Sequence, residues 1–485
     1  MQIALLLAPV SLLLAAVPQL DGIYPAGGQI GTTFEVSLIG NFDPWPIQIW
    51  CGNPAIEFEP GKTKGSLKVK ITAEAEVGPT LIRVFNSEGA SAPKTFMVGA
   101  FPEILEGADN DALTTPQPLS QIPLVVNGKL EKRDDIDFFR LPLKKGQTLT
   151  ATIDGYGLGS AIDPFLHLYG PDGQEIALAS DSRNLDPILT HAIAENGDYT
   201  IQVVAIDHKA SSNVSFAGGA AMIYRLNLRT DTPDLATFPT AATVTKSGNR
   251  LPLPGRYASN LRLDGKPDSF QIPAEKGQKI NIRIEAHQHG SPLDGVLSII
   301  RPDEKLYRTV DDFNKKPDPE ILLTAPLAGD YEAQIWDRFQ RGGPEFRYHL
   351  VLEEPEPDFS ATVTASAFTL EVGKSLEVPI KLVRANGHQE PLEVQIENLP
   401  NGVHFKQPEV PEKSGDVKLK LEAKPDAIPT SVPLKIRLHP STATKSQAAT
   451  YSFQTSGSRG AYLIDETEII WLTLIEPAKS VINSE

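Results

Sequence analysis

The 485-residue sequence contains a single cysteine, Cys51, and fewer cationic than anionic side chains. With one cysteine no disulfide can form within the chain, so each folded unit must be held together by its core. We expect Cys51 to be a small buried core residue rather than an exposed, reactive thiol. Lysine and arginine number 45 against 61 aspartates and glutamates, a formal net charge of −16. Since few cations are available to neutralise phosphates, nucleic acids and anionic membranes are disfavoured as partners.

The sequence has only one long apolar run, at residues 3–17. This run is shorter than the about 20 residues that a membrane-spanning helix needs, and it has the length of a signal peptide. No lysine or arginine precedes it, so the signal rests on the apolar run alone. We predict a signal peptide over residues 1–17 and an exported protein without a transmembrane helix. Its location would be periplasmic, at the cell surface or extracellular.

The sequence also lacks the motifs that accompany common catalytic and cofactor sites. It contains no Gly-x-Ser-x-Gly, no His-Glu-x-x-His and no glycine-rich phosphate-binding loop. We therefore predict no catalytic residues, no organic cofactor and a protein that is not an enzyme. His287 and His289 are spaced to share one strand face and to chelate a metal, but no third ligand is evident. An exposed strand end is the favoured interpretation of this pair.

What the sequence does contain is a long internal repeat. Gly159 recurs 131 positions later as Gly290, and Tyr199 recurs 132 positions later as Tyr331. Other matching residues between and before these extend the same register. A repeat unit longer than about 100 residues is a duplicated domain rather than a solenoid unit. The sequence therefore predicts two copies of one domain.

Residues within each copy alternate between apolar and polar. Tyr199, Ile201 and Val203 are separated by polar residues, and residues 279–285 alternate without interruption. This period-two alternation is typical of strands with one solvent-facing side. The 41 prolines and 37 glycines suit the many turns of antiparallel β-sandwiches. We predict an all-β protein.

Several short motifs recur in the two copies and resemble those of one bacterial domain family. In the first copy they are Asp135-Ile-Asp137-Phe-Phe139, Lys145-Gly-Gln147, Gly159-Ser with Asp163-Pro, Tyr169-Gly-Pro-Asp-Gly173, Gly197-Asp-Tyr-Thr and Tyr224-Arg-Leu226. This set resembles the pre-peptidase C-terminal (PPC) domain, a β-sandwich found beside secreted proteases and in multi-module surface proteins. The resemblance implies two jelly-roll sandwiches, at residues 100–231 and 232–354.

The flanking regions have the alternation of further sandwiches. Residues 18–99, with Gly31-Thr-Thr-Phe34 near their start, resemble an immunoglobulin-like TIG (IPT) domain. Residues 355–485, with a Leu-Pro-Asn-Gly corner and a C-terminal strand, resemble an immunoglobulin or fibronectin type III domain. Proline-rich linkers such as residues 100–120 and 353–358 keep neighbouring modules apart. We therefore predict an elongated string of four β-sandwich modules.

The resemblance also implies a metal site. PPC-like domains of secreted collagenases bind calcium through an acidic linker of the form Glu-x-Glu-x-Asn-Asp and through aspartates before the Asp-x-Phe strand. The matching residues in the first module are Glu106, Asn110, Asp111, Asp135 and Asp137, with Asp134 beside them. Ala108 departs from the pattern, and Asp109 is the nearest substitute. Two alternatives stay open, namely solvated turn acids and aspartates that bond turn amides. The second module keeps only Asp268, so we expect no calcium there.

Together these features predict an exported, non-catalytic, multi-module binding protein. Its partner would be a protein or a polysaccharide, and several modules on one chain would gain avidity. An accessory or targeting subunit of a separately encoded secreted protease or other hydrolase is the alternative. Trp45 and Trp50 offer a stacking surface for sugar, although packing in a sandwich core is the more common role. The sequence leaves the ligand and the oligomeric state open, because sandwich folds host unrelated functions.

Overall fold

The computed structural model describes residues 16–107, 109–182, 185–206, 215–230, 243–264, 266–286, 289, 291, 293–311, 318–343, 346–440, 446–457 and 460–477. Residues 1–15 of the predicted signal peptide lie outside this part. Within it the regular elements are strands, apart from one 3-10 turn, η1 (Tyr156–Leu158). The predicted all-β fold class is therefore confirmed. No helix among these residues is long and apolar enough to cross a membrane.

The N-terminal module is a two-sheet sandwich. Its strands are β1 (Gln19–Tyr24), β2 (Gly27–Gln29), β3 (Thr33–Asn41), β4 (Gln48–Cys51), β5 (Ile56–Pro60), β6 (Ser66–Ile71), β7 (Gly78–Asn86), β8 (Gly89–Ala90) and β9 (Lys94–Gly99). One sheet has the order β1-β3-β6-β5 and the other β2-β9-β7-β4, with β8 on β7. In β6 the apolar Leu67, Val69 and Ile71 are buried while the lysines between them are exposed, as period-two alternation requires. Cys51 is half-buried against this core.

The first repeat module is built from two five-stranded sheets around one core. Its strands are β10 (Glu103–Leu105), β11 (Gln117–Pro118), β12 (Leu124–Lys129), β13 (Asp137–Leu143), β14 (Thr148–Asp154), β15 (Pro164–Tyr169), β16 (Glu175–Ala179), β17 (Ile188–Ala192), β18 (Gly197–Ala205) and β19 (Ile223–Arg229). The sheet orders are β10-β12-β19-β14-β17 and β11-β13-β18-β15-β16.

The segment 100–120, which we expected to be a linker entering this module, is paired into both of its sheets. β10 pairs in parallel with β12, and β11 pairs in parallel with β13, so the segment adds one edge strand to each sheet. Gln117 ties it together, because its side chain accepts from the Gly107 N–H (2.6 Å) and donates to the Leu105 carbonyl (3.2 Å). Strands of two or three residues are too short to show a period-two pattern, which is why the sequence did not indicate them.

The second repeat module has the same arrangement, with one five-stranded and one four-stranded sheet. Its strands are β20 (Thr243–Val244), β21 (Gly255–Asn260), β22 (Asp268–Ala274), β23 (Lys279–Glu285), β24 (Gly295–Ile300), β25 (Leu306–Val310), β26 (Glu320–Thr324), β27 (Gly329–Asp337) and β28 (Arg347–Glu353). The sheet orders are β20-β21-β28-β23-β26 and β22-β27-β24-β25. β22 pairs with β27 in the register with which β13 pairs with β18, moved by 131 positions in one strand and 132 in the other. The predicted duplication is confirmed by this shared register.

The C-terminal module encloses a fourth core with one continuous set of paired strands. The strands are β29 (Asp358–Val363), β30 (Ala367–Glu371), β31 (Ser375–Ala385), β32 (Leu392–Glu397), β33 (Val403–Phe405), β34 (Gly415–Ala423), β35 (Thr430–Pro440), β36 (Gln447–Gly457), β37 (Gly460–Thr467) and β38 (Ile470–Ile475). Their order is β30-β38-β35-β36-β29-β31-β34-β33, with β32 on β35 and β37 on β36.

A buried arginine joins the first module to the last. The Arg83 side chain lies in β7 and donates to the Ser91 carbonyl of its own module (2.7 Å). It also donates to Ser366 Oγ (3.1 Å) and to the Ile469 carbonyl (3.3 Å), both in the C-terminal module. Arg83 is 1% exposed, so this guanidinium lies inside an interface between modules that are far apart in the sequence.

Aromatic rings extend the same interface. The ring of Trp471 lies 4.9 Å from Phe85 and 5.8 Å from Trp50, both of the N-terminal module. Trp45 packs on the core residue Phe42 at 6.5 Å, so both tryptophans considered for sugar stacking are engaged in packing. The multi-module β architecture holds, but the elongated string is wrong, because the first and fourth modules contact each other. Linker composition does not report such contacts between modules.

Candidate metal sites

All five predicted calcium ligands line one cleft of the first repeat module. The cleft has a volume of about 190 Å³ and is lined by Glu106, Asn110, Asp111, Asp135 and Asp137, together with Tyr24, Gly107, Lys129, Glu131 and Lys132. Tyr24 belongs to the N-terminal module, and its hydroxyl donates to the Asn127 carbonyl of the first repeat module (3.1 Å). The cleft therefore lies at the junction of these two modules. The resemblance named these five residues in the sequence, and the arrangement of the strands places them around one cleft.

Glu106 and Asp137 are the innermost carboxylates. Glu106 follows β10 and Asp137 begins β13, so they come from the two different sheets. Both Glu106 oxygens accept the Lys129 main-chain N–H, at 2.9 Å each. The Tyr224 hydroxyl donates to Asp137 Oδ2 (2.6 Å) and lies 3.3 Å from Glu106 Oε2. Because Tyr224 is fully buried, it fixes the positions of both carboxylates.

Burial and like charge act on this pair of carboxylates. Burial, followed by the charge of Asp137, raises the pKa of Glu106 well above its ordinary value. Burial also raises the pKa of Asp137, and the charge of Asp135 acts in the same direction. Two carboxylates in one poorly solvated cleft do not both stay ionised without a neighbouring cation. We therefore expect the cation-free pair to retain a proton at neutral pH.

Asn110 and Asp135 complete the inner part of the cleft and are 3% and 5% exposed. Asn110 Nδ2 makes no hydrogen bond of good geometry among the described residues, although it lies near enough to Asp137 to act on that carboxyl and lower its pKa, against the larger effect of burial. Since amide oxygen and nitrogen are assigned from their partners, turning this amide by 180° presents Oδ1 to the same space. Asp135 Oδ2 accepts the Glu131 N–H (2.5 Å), and Oδ1 lies 3.9 Å from Lys132 Nζ.

The remaining acids of the segment lie at the rim or outside the cleft. Asp111 Oδ2 pairs with Lys132 Nζ at 3.1 Å, and both side chains are about half exposed or more. Asp134 bonds elsewhere, since its Oδ1 accepts the Phe216 N–H (2.9 Å). Asp109 is exposed and does not line the cleft, and Ala108 lies outside the described residues.

The inner cleft offers donors that suit a hard cation. Calcium takes about six to eight oxygen ligands and accepts carboxylates, amide oxygens and water in one flexible shell. Glu106, Asp135 and Asp137 supply carboxylate oxygens, and a turned Asn110 amide supplies another. The unpartnered amide and the crowded carboxylates both fit an ion at this place. These residues would hold calcium, with Asp111 contributing from the rim.

The equivalent place in the second repeat module has a different charge. Asp268 begins β22 as Asp137 begins β13, and it accepts the Tyr348 hydroxyl at 2.7 Å. The shared strand register puts Arg262 where the first module has Glu131. Arg262 Nε lies 3.6 Å from Asp268 Oδ1. The Arg262 guanidinium therefore offsets part of the charge of the buried aspartate, whose pKa is still raised by burial.

A different polar cluster, which the sequence did not reveal, lies on the other sheet of the second repeat module. Glu285 ends β23, His349 is its register partner in β28, and His289 follows four residues after Glu285. One ligand atom of each lies within 4.8 Å of the others. The sequence pattern paired His289 with His287, which lies outside the described residues. Its true neighbour His349 is found only through strand pairing, because 64 positions separate it from Glu285.

The fold and the cleft define an all-β, multi-module protein with a carboxylate-lined cleft. No known protein family matches the chain, and no curated protein matches it. Tripeptidyl peptidase 2 aligns with a TM-score of 0.15 and 11% identity, over 95% of this chain and 40% of that structure. The S-layer protein rSbsC (residues 31–844) aligns with a TM-score of 0.17 and 6% identity, over 95% of this chain and 54% of that structure. These scores are too low to transfer a fold or an activity.

Proposed function

We propose that this chain is an exported, non-catalytic binding protein whose first repeat module holds a calcium ion. The observation that carries the proposal is the convergence of Glu106, Asn110, Asp135 and Asp137 on one cleft. Oxygen donors from two sheets and from the preceding segment meet there, so an ion would join parts that are otherwise held by a few hydrogen bonds. Mutual repulsion within the carboxylate pair is relieved most by a divalent cation.

The binding role is supported by the modular architecture. Several β-sandwich modules on one chain present several surfaces, and weak contacts at each of them add through effective concentration. The sequence has none of the catalytic motifs considered above. The partner would be a protein or a polysaccharide outside the cytoplasm.

The expected calcium affinity is that of an extracellular module. Lys132 pairs with Asp111 and approaches Asp135, so a bound ion has to share these acids with an ammonium group. Extracellular calcium modules have dissociation constants of about 10⁻⁴–10⁻³ M, which match the calcium levels that they meet. This range suits an exported protein.

A matched pair of variants tests the calcium site in the full-length protein. Asp137→Asn removes a carboxylate from the cleft, whereas Asp268→Asn makes the same change at the equivalent tyrosine-bonded position of the second repeat module. Calcium should raise the melting temperature of the wild type and of D268N but not of D137N. At a hundredfold excess over Kd the gain is about 2.7 kcal/mol. Equal shifts in D137N and the wild type would refute the site.

Retention assays test the binding role separately from calcium. Purified protein should co-sediment with an insoluble polysaccharide or cell-wall fraction and should show no turnover of casein, ester or polysaccharide substrates. Turnover that a single Asp, Glu, Ser or His substitution abolishes would overturn the non-catalytic proposal, whatever the calcium result.

A further inference from the structure

Glu285, His289 and His349 of the second repeat module have the donor types of a transition-metal site. Glu285 Oε2 lies 3.5 Å from His289 Nε2 and 3.8 Å from His349 Nδ1. The two imidazole rings meet edge to face with centroids 5.6 Å apart. One carboxylate and two imidazoles form a common ligand set for zinc.

These separations are close to those of a tetrahedral site. Metal–ligand bonds of about 2.0–2.1 Å at tetrahedral angles put ligand atoms about 3.3–3.4 Å apart. The two Glu285–histidine distances of 3.5 and 3.8 Å exceed this by a few tenths of an ångström. The histidine nitrogens lie within 4.8 Å of each other, so the two imidazoles have to approach by up to about 1.4 Å to reach tetrahedral spacing. The His289 side chain is 20% exposed, and its movement would supply this approach.

Two arginines bond to the carboxylate. Glu285 Oε1 accepts from Arg256 Nη2 (3.1 Å) and from Arg283 Nε (3.2 Å), while Oε2 lies on the side of the imidazoles. Hydrogen bonds of this kind orient the ligands in metal sites. Arg283 is in turn held by Glu353, at 2.6 Å from its Nη1.

One arginine nitrogen occupies the place that an ion would take. Arg256 Nη1 donates both to Glu285 Oε2 and to His349 Nδ1, the latter at 3.2 Å. Since a guanidinium only donates, His349 Nδ1 is an acceptor here, the state in which imidazole binds a metal. The Arg256 side chain is 31% exposed, so Nη1 can withdraw while Nη2 keeps its bond to Oε1.

The fold itself does not require this cluster. The same strand register in the first repeat module puts Asp154, Leu158 and Arg225 at these positions. Arg225 there pairs with the buried Glu103 and lies 3.9 Å from Asp154. The two histidines are thus particular to the second repeat module, where the same backbone supports a different chemistry.

We propose that the second repeat module binds a zinc-class divalent ion through Glu285 Oε2, His289 Nε2 and His349 Nδ1, in place of Arg256 Nη1. The three ligands leave a fourth position on the side of the partly exposed His289 and Arg256. Water occupies such a position in three-ligand zinc sites, and a donor from a partner can replace it. This site is separate from the calcium cleft and uses softer donors.

Cobalt spectroscopy of the full-length protein tests the proposal. Co²⁺ in a tetrahedral site with two imidazoles gives intense visible bands, whereas Co²⁺ in the carboxylate cleft keeps an octahedral, weakly absorbing oxygen shell. We expect one equivalent of Co²⁺ to give tetrahedral bands that one equivalent of Zn²⁺ removes. His289→Asn should weaken binding by at least about 100-fold, more than a change in the surrounding hydrogen bonds does. Arg256→Gln should tighten binding by about tenfold or more, because a competing positive charge is removed while Arg283 still holds Glu285 Oε1.

His404→Asn is the matched control, because His404 pairs with Glu422 at 3.4 Å on an exposed surface. This variant should bind Co²⁺ like the wild type. His349→Gln should abolish the bands, and if that buried variant fails to fold, His289→Asn decides alone. No tetrahedral bands in the wild type, or unchanged bands in H289N, would overturn the proposal. Weaker binding in R256Q would also overturn it, since the arginine would then assist rather than compete.

Discussion

The residues that recur in both repeat modules mainly form turns and corners. Gln147 and Gln278 accept the main-chain N–H three residues earlier, at 2.6 and 2.9 Å. Tyr199 and Tyr331 donate to the carbonyl four residues earlier, at 3.0 and 2.9 Å. These bonds satisfy main-chain groups that the strands leave unpaired. The repeated residues therefore serve the fold, and the carboxylate cleft and the Glu285 cluster each depend on residues that the other copy lacks.

The carboxylate pair predicts how stability depends on pH. In calcium-free protein the folded state holds protons on Glu106 and Asp137 that the unfolded chain has released above the ordinary carboxyl pKa of about 4. The folded state then binds more protons, so the free energy of unfolding falls as pH rises from about 4 up to the raised pKa values of the pair, and levels off above them. The slope is about 1.4 kcal/mol per pH unit for each group that stays protonated. Below pH 4 the two carboxyl groups are protonated in both states, so the pair causes no loss of stability there.

Urea unfolding at several pH values with chelator present measures this slope. Glu106→Gln should flatten it, because one of the two titrating groups is gone, and the exposed Glu59→Gln should leave it unchanged. Saturating calcium should also flatten the slope in the wild type, since the ion binds the ionised carboxylates. A slope unaffected by E106Q would show that these two acids are solvated rather than buried together.

At the scale of strands, alternation in the sequence predicted the long strands and the duplicated register correctly. β6 and β23 were indicated by their period-two pattern, and the offsets of 131 and 132 fixed the equivalence of the repeats. The pattern did not reveal β10 and β11, which are too short, or the pairing of β23 with β28. The residues that line the carboxylate cleft were predicted from a resemblance to short motifs. The Glu285 cluster was missed because its members meet only once the sheet has formed.

The short edge strand β10 determines where Glu106 lies, and Gln117 holds that strand. Gln117→Ala removes the bonds to Gly107 and Leu105 and should cost about 1–2 kcal/mol of local stability. Hydrogen exchange over residues 103–107 should accelerate, and calcium affinity should fall because Glu106 is no longer fixed. Gln174→Ala, at an exposed turn position, is the control and should leave hydrogen exchange over residues 103–107 unchanged. Unchanged exchange in Q117A would show that β10 is held by its pairing with β12 alone.

At the scale of the whole molecule, the contact between the N-terminal and C-terminal modules determines the architecture. Proline-rich connectors predicted separated modules, and that reasoning considers only neighbours in sequence. Arg83 instead reaches Ser366 and Ile469, and Trp471 covers Phe85. A buried guanidinium is stable there because carbonyl and hydroxyl oxygens from both modules accept N–H groups of Nη1 and Nη2. Burial lowers the pKa of Arg83 to about 10, so the side chain stays charged at neutral pH.

The interface between these modules can be measured with a double-mutant cycle. Arg83→Met keeps most of the side-chain volume but leaves the carbonyls of Ser91 and Ile469 without their donor. This should lower the free energy of unfolding by about 1–3 kcal/mol. Ser366→Ala removes only the contact across the interface, and coupling between the two substitutions should be about 0.5–3 kcal/mol. Arg140→Met, on the exposed side of β13, is the control for loss of an arginine. Small-angle scattering should show a larger radius of gyration for R83M than for the wild type and R140M. Additive substitutions together with unchanged scattering would show that Arg83 stabilises only its own module and that the aromatic contacts hold the two modules together.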